Sequence, residues 1–109
     1  MTTIIIKRQQ NKIVQVECKG HSGYADEGED IVCAGISVLT QTAILGLKEV
    51  AKVKVTYQVD RKTGYLMFKI VENLDETKRR ECDIILETML IGIKDWQDGF
   101  SKYITVEDK

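Results

Sequence analysis

The chain holds a single histidine, His21, and three cysteines, Cys18, Cys33 and Cys82. A thiol and an imidazole within reach of each other can run acyl transfer, because the imidazole takes the thiol proton and the thiolate attacks a carbonyl. An ordinary thiol has a pKa of about 8.5 and is only about 3% ionised at pH 7, so a reactive one needs help from its surroundings. Periodicity separates the three cysteines. Cys18 shares the buried parity of a strand pattern with Val14 and Val16, and Cys82 falls on the apolar face of a helical pattern. In both places a thiol behaves as a small inert hydrophobe. Cys33 instead follows a glycine-rich loop and stands in the first turn of a helix whose natural N-cap is Asp30. Unpaired N–H groups and the positive end of the helix dipole meet there, and both favour thiolate over thiol. Position makes Cys33 the candidate nucleophile and His21 its candidate base.

The neighbouring residues carry double readings. Asp30 either caps the helix or orients His21 as the third member of a triad. Ser37, one helical turn after Cys33, either faces the same site or makes an ordinary solvent or backbone hydrogen bond. The N–H groups of Cys33 and Ala34 are expected to hold the oxyanion formed when a thiolate attacks a carbonyl. Gly23 and Gly28 give the loop the freedom to fold back and set His21 beside the helix start. Ser22, next to His21, has no assignable role. The plain alternative is that His21 is a polar loop residue and that Cys33 packs under a sheet.

The elements that must position these residues follow from hydrophobic spacing. Residues 3–8 and 12–19 form two β-rich runs around the polar Gln9-Gln10-Asn11, which predicts a hairpin. The stretch 20–30 has no period and reads as a long exposed loop. From Ile31 the apolar residues Ile36, Leu39, Thr40, Ala43, Leu47 and Val50 recur at helical spacing. Val53, Val55, Tyr57 and Val59 alternate with polar residues, then Asp60-Arg61-Lys62-Thr63-Gly64 leads into 65–71, a second hairpin. Residues 76–98 give a second helix with the face Cys82, Ile85, Leu86, Met89, Leu90, Ile93, and Gly99 suits its C-terminal stop. A short strand over 103–106 completes the order ββαββαβ. Hairpins followed by single helices predict one α+β domain over 1–109, with a largely antiparallel sheet and the site on loop 20–32.

Length and composition bound the function. At 109 residues and 12.4 kDa, with 43% hydrophobic and 30% charged residues, the chain is a globular domain and not a disordered tail. Sixteen basic against seventeen acidic side chains leave a net charge of −1, so no basic field gathers nucleic acid or anionic lipid. The three isoleucines near the N-terminus are too short a run for a secretory signal, which points to the cytoplasm. The apolar stretch 31–47 is interrupted by Ser37, Thr40, Gln41 and Thr42 and predicts a buried helix, not a membrane span. An odd number of unpaired cysteines makes a poor disulfide framework. Sheet edges left by short strands favour a dimer. Two rival readings use the same residues. In one, Cys18, His21 and Cys33 share a zinc ion, although paired cysteine spacing is missing. In the other, the glycine-rich loop and helix start make a non-catalytic module that binds an anion or the ribosome, although the acids of the loop repel phosphate.

Two segments carry a resemblance. Gly20-His21-Ser22-Gly23-Tyr24-Ala25 and Gly28-Glu29-Asp30-Ile31-Val32-Cys33-Ala34-Gly35-Ile36-Ser37 resemble the signature of the bacterial ribosomal-processing cysteine protease family, Prp, in the His, the Cys, their spacing and the following Ser. The chain length and element order fit as well. The resemblance implies a cytosolic, homodimeric endopeptidase that removes a short N-terminal extension from large-subunit ribosomal protein twenty-seven. It implies no cofactor and no metal. It gives His21 as base and Cys33 as nucleophile, Asp30 and Ser37 as supporting neighbours, and a loop including Ser22, Gly23, Tyr24 and Gly28 that orders around the peptide.

Overall fold

The computed structural model describes residues 1–26 and 29–109, so the expectation placed on Gly28 lies outside the described residues. Strand β1 spans Thr2–Gln9 and β2 spans Lys12–Lys19. The two-residue turn between them puts Gln10 at φ 52° and Asn11 at φ 68°, the left-handed pair that matches the twist of a tight hairpin. Helix α1 spans Ile31–Leu45 and runs on into a π-helical turn over Gly46–Val50. A second hairpin joins β3, Val55–Asp60, to β4, Tyr65–Ile70. Helix α2 covers Glu76–Gly99, and β5, Ile104–Asp108, closes the chain. The order is the expected ββαββαβ, an α+β domain.

The five strands form one sheet in the order β3-β4-β2-β1-β5. Only β1 and β5 run parallel, and the other pairs are antiparallel. Alternate residues Ile4, Ile6, Val16, Cys18, Phe68 and Ile70 form the buried face of the sheet. Against it pack Val32, Ile36, Ala43 and Leu47 of the first helical segment and Cys82, Leu86, Leu90 and Ile93 of α2. Thr40, buried in this layer, donates its hydroxyl to the Ile36 carbonyl at 2.8 Å.

Three local expectations are corrected. A register shift between Lys7 and Arg8 pairs Lys7 with Gln15 and Arg8 with Ile13, leaving Val14 as the extra residue of a bulge. Ile13 therefore takes the core position expected for Val14. Val50, expected on the buried face, is 75% exposed, while Ala51 is buried. The wide π turn, in which Ala51 N–H donates to the Gly46 carbonyl, turns the chain less per residue, so three residues beyond Leu47 no longer returns to the same side. Gly99 is the last residue of α2 and not a left-handed stop; Phe100, at φ −137°, ends the helix by donating to the Gln97 carbonyl.

An Arg8 knot ties the layers at one sheet edge. Its guanidinium donates to both carboxylate oxygens of Asp108 on β5, at 2.7 and 3.0 Å, and to both of Glu87 on α2, at 2.7 and 3.2 Å. The segment Ile31–Val50 is 20 residues long with a mean hydropathy of 1.6, long and apolar enough to cross a membrane. Its inner side lies on the sheet, and its outer side leaves Ile31, Val38 and Leu45 exposed at heptad spacing.

Candidate active site

One end of the sheet collects the parts expected from sequence. There, β2 runs out through Gly20 into His21 and Ser22, α1 begins at Ile31, the β3–β4 turn folds over, and α2 ends. Asp30 is the N-cap of α1, and its Oδ1 accepts from the N–H groups of Val32 and Cys33, each at 3.0 Å. Its Oδ2 accepts from the Ser22 hydroxyl at 2.5 Å, and the Ser22 oxygen in turn accepts from Tyr24 N–H at 3.1 Å. Burial would push the Asp30 carboxyl up, but the Ser22 hydroxyl and the Cys33 N–H outweigh it and hold the group below the ordinary carboxylate value.

Cys33 is half-buried in the first turn, and its Sγ accepts from the Ser22 backbone N–H at 3.2 Å. Ser22, which spacing alone could not assign, thus contacts both Cys33 and the cap Asp30. The other two thiols sit differently. Burial pushes Cys18 up to about 12, and burial also raises Cys82.

His21 is exposed, and its Nε2 lies 3.1 Å from the Lys62 carbonyl in the β3–β4 turn. The structure thus brings Ser22, Asp30 and Cys33 into one hydrogen-bonded set, while the His21 ring bonds to the β3–β4 turn and makes no hydrogen bond to Cys33. Among the described residues, Asp30 bonds to the helix start and to Ser22, and no bond joins it to the ring, so the triad role expected as one alternative is not formed here. Ser37 accepts from Gln41 Nε2 at 2.8 Å and makes no bond to Cys33. The two N–H groups expected to hold an oxyanion are both occupied, Cys33 by Asp30 Oδ1 and Ala34 by the Asp30 carbonyl at 3.0 Å. The same occupation removes the empty helix start that the anion-binding reading needs.

An aromatic cluster, not expected from the motif, supports the loop. Tyr24 packs edge-on against Phe100 and Tyr103 with ring centroids 5.6 and 5.3 Å away, and Phe100 leans on Trp96 at 4.8 Å. Trp96 Nε1 donates to the Val32 carbonyl at 3.2 Å, anchoring the cluster to the first turn of α1. Only Trp96 of these rings lies on α2, and Phe100 and Tyr103 follow its end, so no sequence period marks the cluster. A groove lined by Gln9, Lys12, Glu72 and Arg79, among others, lies at the opposite end of β2 and holds none of the candidates. No three His, Cys, Asp or Glu side chains among the described residues are placed to hold one metal ion.

A free thiol at a helix start, receiving an N–H from the residue beside a lone histidine, has the parts of a cysteine protease, and that class is what the comparisons with known proteins return. A family model described as cysteine protease Prp matches residues 1–105, and the chain belongs to that family. It is 27% identical over 104 residues to the ribosomal processing cysteine protease Prp of Bacillus subtilis, covering 91% of this chain and 93% of that one. It is 28% identical over 112 residues to the Staphylococcus aureus protein of the same name, covering 100% of this chain and 99% of that one. A crystal structure of the S. aureus protease with a covalently linked product peptide superposes with a TM-score of 0.87 at 24% identity, over the whole of both chains. The α+β fold expected from the hairpin and helix order is therefore the fold of this family.

Proposed function

We propose that the chain is a processing endopeptidase that removes the N-terminal extension of large-subunit ribosomal protein twenty-seven, with Cys33 as nucleophile and His21 as base. The observation that carries the reading is the Cys33 sulfur in the first turn of α1, accepting the Ser22 N–H at 3.2 Å, one residue from the only histidine. The names of the relatives, ribosomal processing proteases, support the substrate class. His21 takes the Cys33 proton and the thiolate attacks the scissile carbonyl, giving a tetrahedral intermediate. The C–N bond breaks as His21 returns the proton to the leaving amine, and a thioester remains. Water, deprotonated by His21, cleaves the thioester to a carboxylate and the free thiol.

The protease works in the cytoplasm as a homodimer. Its three cysteines are free thiols, as a reducing compartment keeps them. Ile31, Val38 and Leu45 on α1 and Ile84 and Ile91 on α2 are exposed apolar side chains, which a second copy covers.

The test is mass spectrometry of the extended ribosomal protein after incubation with wild type, Cys33→Ala and His21→Ala under reducing conditions. One discrete cut by wild type alone is expected. A Cys33→Ala enzyme that cuts at the wild-type rate ends the mechanism, and an intact precursor with the folded, reduced wild type ends the substrate assignment.

A further inference from the structure

The turn that receives the His21 ring is built on two independent contacts. A carbonyl oxygen only accepts, so the 3.1 Å approach of His21 Nε2 to the Lys62 oxygen requires the proton on Nε2 and, in the neutral ring, leaves the lone pair on Nδ1. The carbonyl is held by its own turn, because Asp60 Oδ1 accepts from the N–H groups of Lys62 at 3.0 Å and Thr63 at 3.4 Å. The second contact is backbone on backbone. Gly64 has φ +69°, and a Cβ there would stand 2.8 Å from the Gly20 carbonyl carbon and 2.9 Å from His21 N. The turn therefore grips His21 by its ring and by its main chain, from a segment some forty residues away in sequence.

We propose that the β3–β4 turn, residues 60–64, is a positioning element for His21: the Lys62 carbonyl fixes the Nε2–H tautomer, so that Nδ1 is the nitrogen that exchanges a proton with Cys33. This rests on His21 being the base and adds which atom serves and what holds it. The thiol proton moves to Nδ1, giving an imidazolium whose Nε2–H keeps its bond to Lys62 and strengthens it by charge. The Nδ1 proton then passes to the leaving amine, and the ring returns to its starting tautomer with no net change. Asp60, Lys62 and Gly64 act through His21.

The experiment compares wild type, His21→Ala, Asp60→Ala, Asp60→Asn and Gly64→Ala in steady-state cleavage of the full-length extended ribosomal protein. Alkylation of Cys33 by iodoacetamide runs in parallel as a readout that needs no peptide substrate. His21→Ala is expected to abolish cleavage. Asp60→Ala is expected to lower kcat on the order of tenfold with KM nearly unchanged, and Gly64→Ala on the order of a hundredfold, because small displacements of a catalytic group are costly. Asp60→Asn, which keeps an acceptor oxygen, is expected to recover most of the loss. Alkylation should slow in the same order. Unchanged kcat and alkylation in folded Asp60→Ala, with His21→Ala inactive, overturns the positioning role and leaves the His–Cys pair standing. A His21→Ala enzyme with wild-type rates overturns the pair and the positioning role together. Because the chain has one histidine, a ¹⁵N-histidine NMR spectrum of folded wild type gives a single ring to assign. It should show Nε2 protonated and Nδ1 bare at neutral pH, and a ring carrying its proton on Nδ1 overturns the assignment even if Gly64→Ala fails to fold.

Discussion

The Ser22 hydroxyl donates to Asp30 Oδ2 at 2.5 Å while the other oxygen of the same carboxylate caps α1, so one buried side chain joins the site loop to the helix that carries Cys33. Asp30→Ala removes the cap from two N–H groups and leaves the Ser22 hydroxyl without its acceptor. The expected loss is roughly 1–3 kcal/mol of stability, read by urea denaturation. Activity should fall less than in Cys33→Ala, because Asp30 acts on position and not on bonds. Asp30→Asn, which can still accept from the helix start, should lose less on both counts. Equal stability of Asp30→Ala and wild type would refute the joint.

The three thiols should separate sharply in a chemical assay. Cys18 is buried and its thiol is pushed up to about 12, Cys82 is buried and raised, and Cys33 is half-exposed beside a donor. Under native conditions one equivalent of iodoacetamide label is expected to enter quickly, and peptide mapping should place it on Cys33. In denaturant three equivalents should enter at similar rates. Fast native labelling of Cys18 would mean that the β2 face opens in solution.

Most of the architecture was legible because it rests on short-range regularities. The alternation around Val16 and Cys18, the helical spacing from Ile36 to Leu47 and from Cys82 to Ile93, and the cap at Asp30 are properties of neighbours in sequence. The departures arise where geometry breaks the period. Val14 lost its core place to Ile13 through a bulge, and Val50 swung outward because a π turn widened the helix. The two candidate residues, His21 and Cys33, stand out in the sequence by type and position. Their supports do not, since the Lys62 carbonyl is a backbone group that every residue owns, and Trp96, Phe100 and Tyr103 reach the loop only through the tertiary fold.

Gly35 makes room for Trp96, and its substitution tests whether the aromatic cluster supports the site. A Cβ at Gly35 would come within 2.4 Å of Trp96 Cε2 and 2.5 Å of its Nε1. Gly35→Ala must therefore push the indole off the Val32 carbonyl and loosen Phe100 and Tyr24 behind it. Overpacking of this kind costs about 1–3 kcal/mol. The emission of the only tryptophan should shift to the red, and cleavage should weaken through the loop. An unchanged spectrum would mean the indole is not seated against Gly35.

Acid should unfold the protein through two carboxylates at opposite ends of the sheet. Hydrogen bonds from Arg8 hold Asp108 below the ordinary carboxylate value, and Asp30 is held below it by the Ser22 hydroxyl and the Cys33 N–H, against its own burial. A carboxyl that is more acidic in the folded than in the unfolded chain contributes stability at every pH above its unfolded value, about 3.9. That contribution fades as the pH falls through the lower folded value. The melting temperature should therefore be flat from pH 7 to about 5 and drop progressively below about pH 4. Asp30→Asn and Asp108→Asn should each start lower at neutral pH and fall less steeply in acid, since each removes one proton taken up on unfolding. Parallel acid slopes in wild type and both variants would place the acid-sensitive groups elsewhere in the fold.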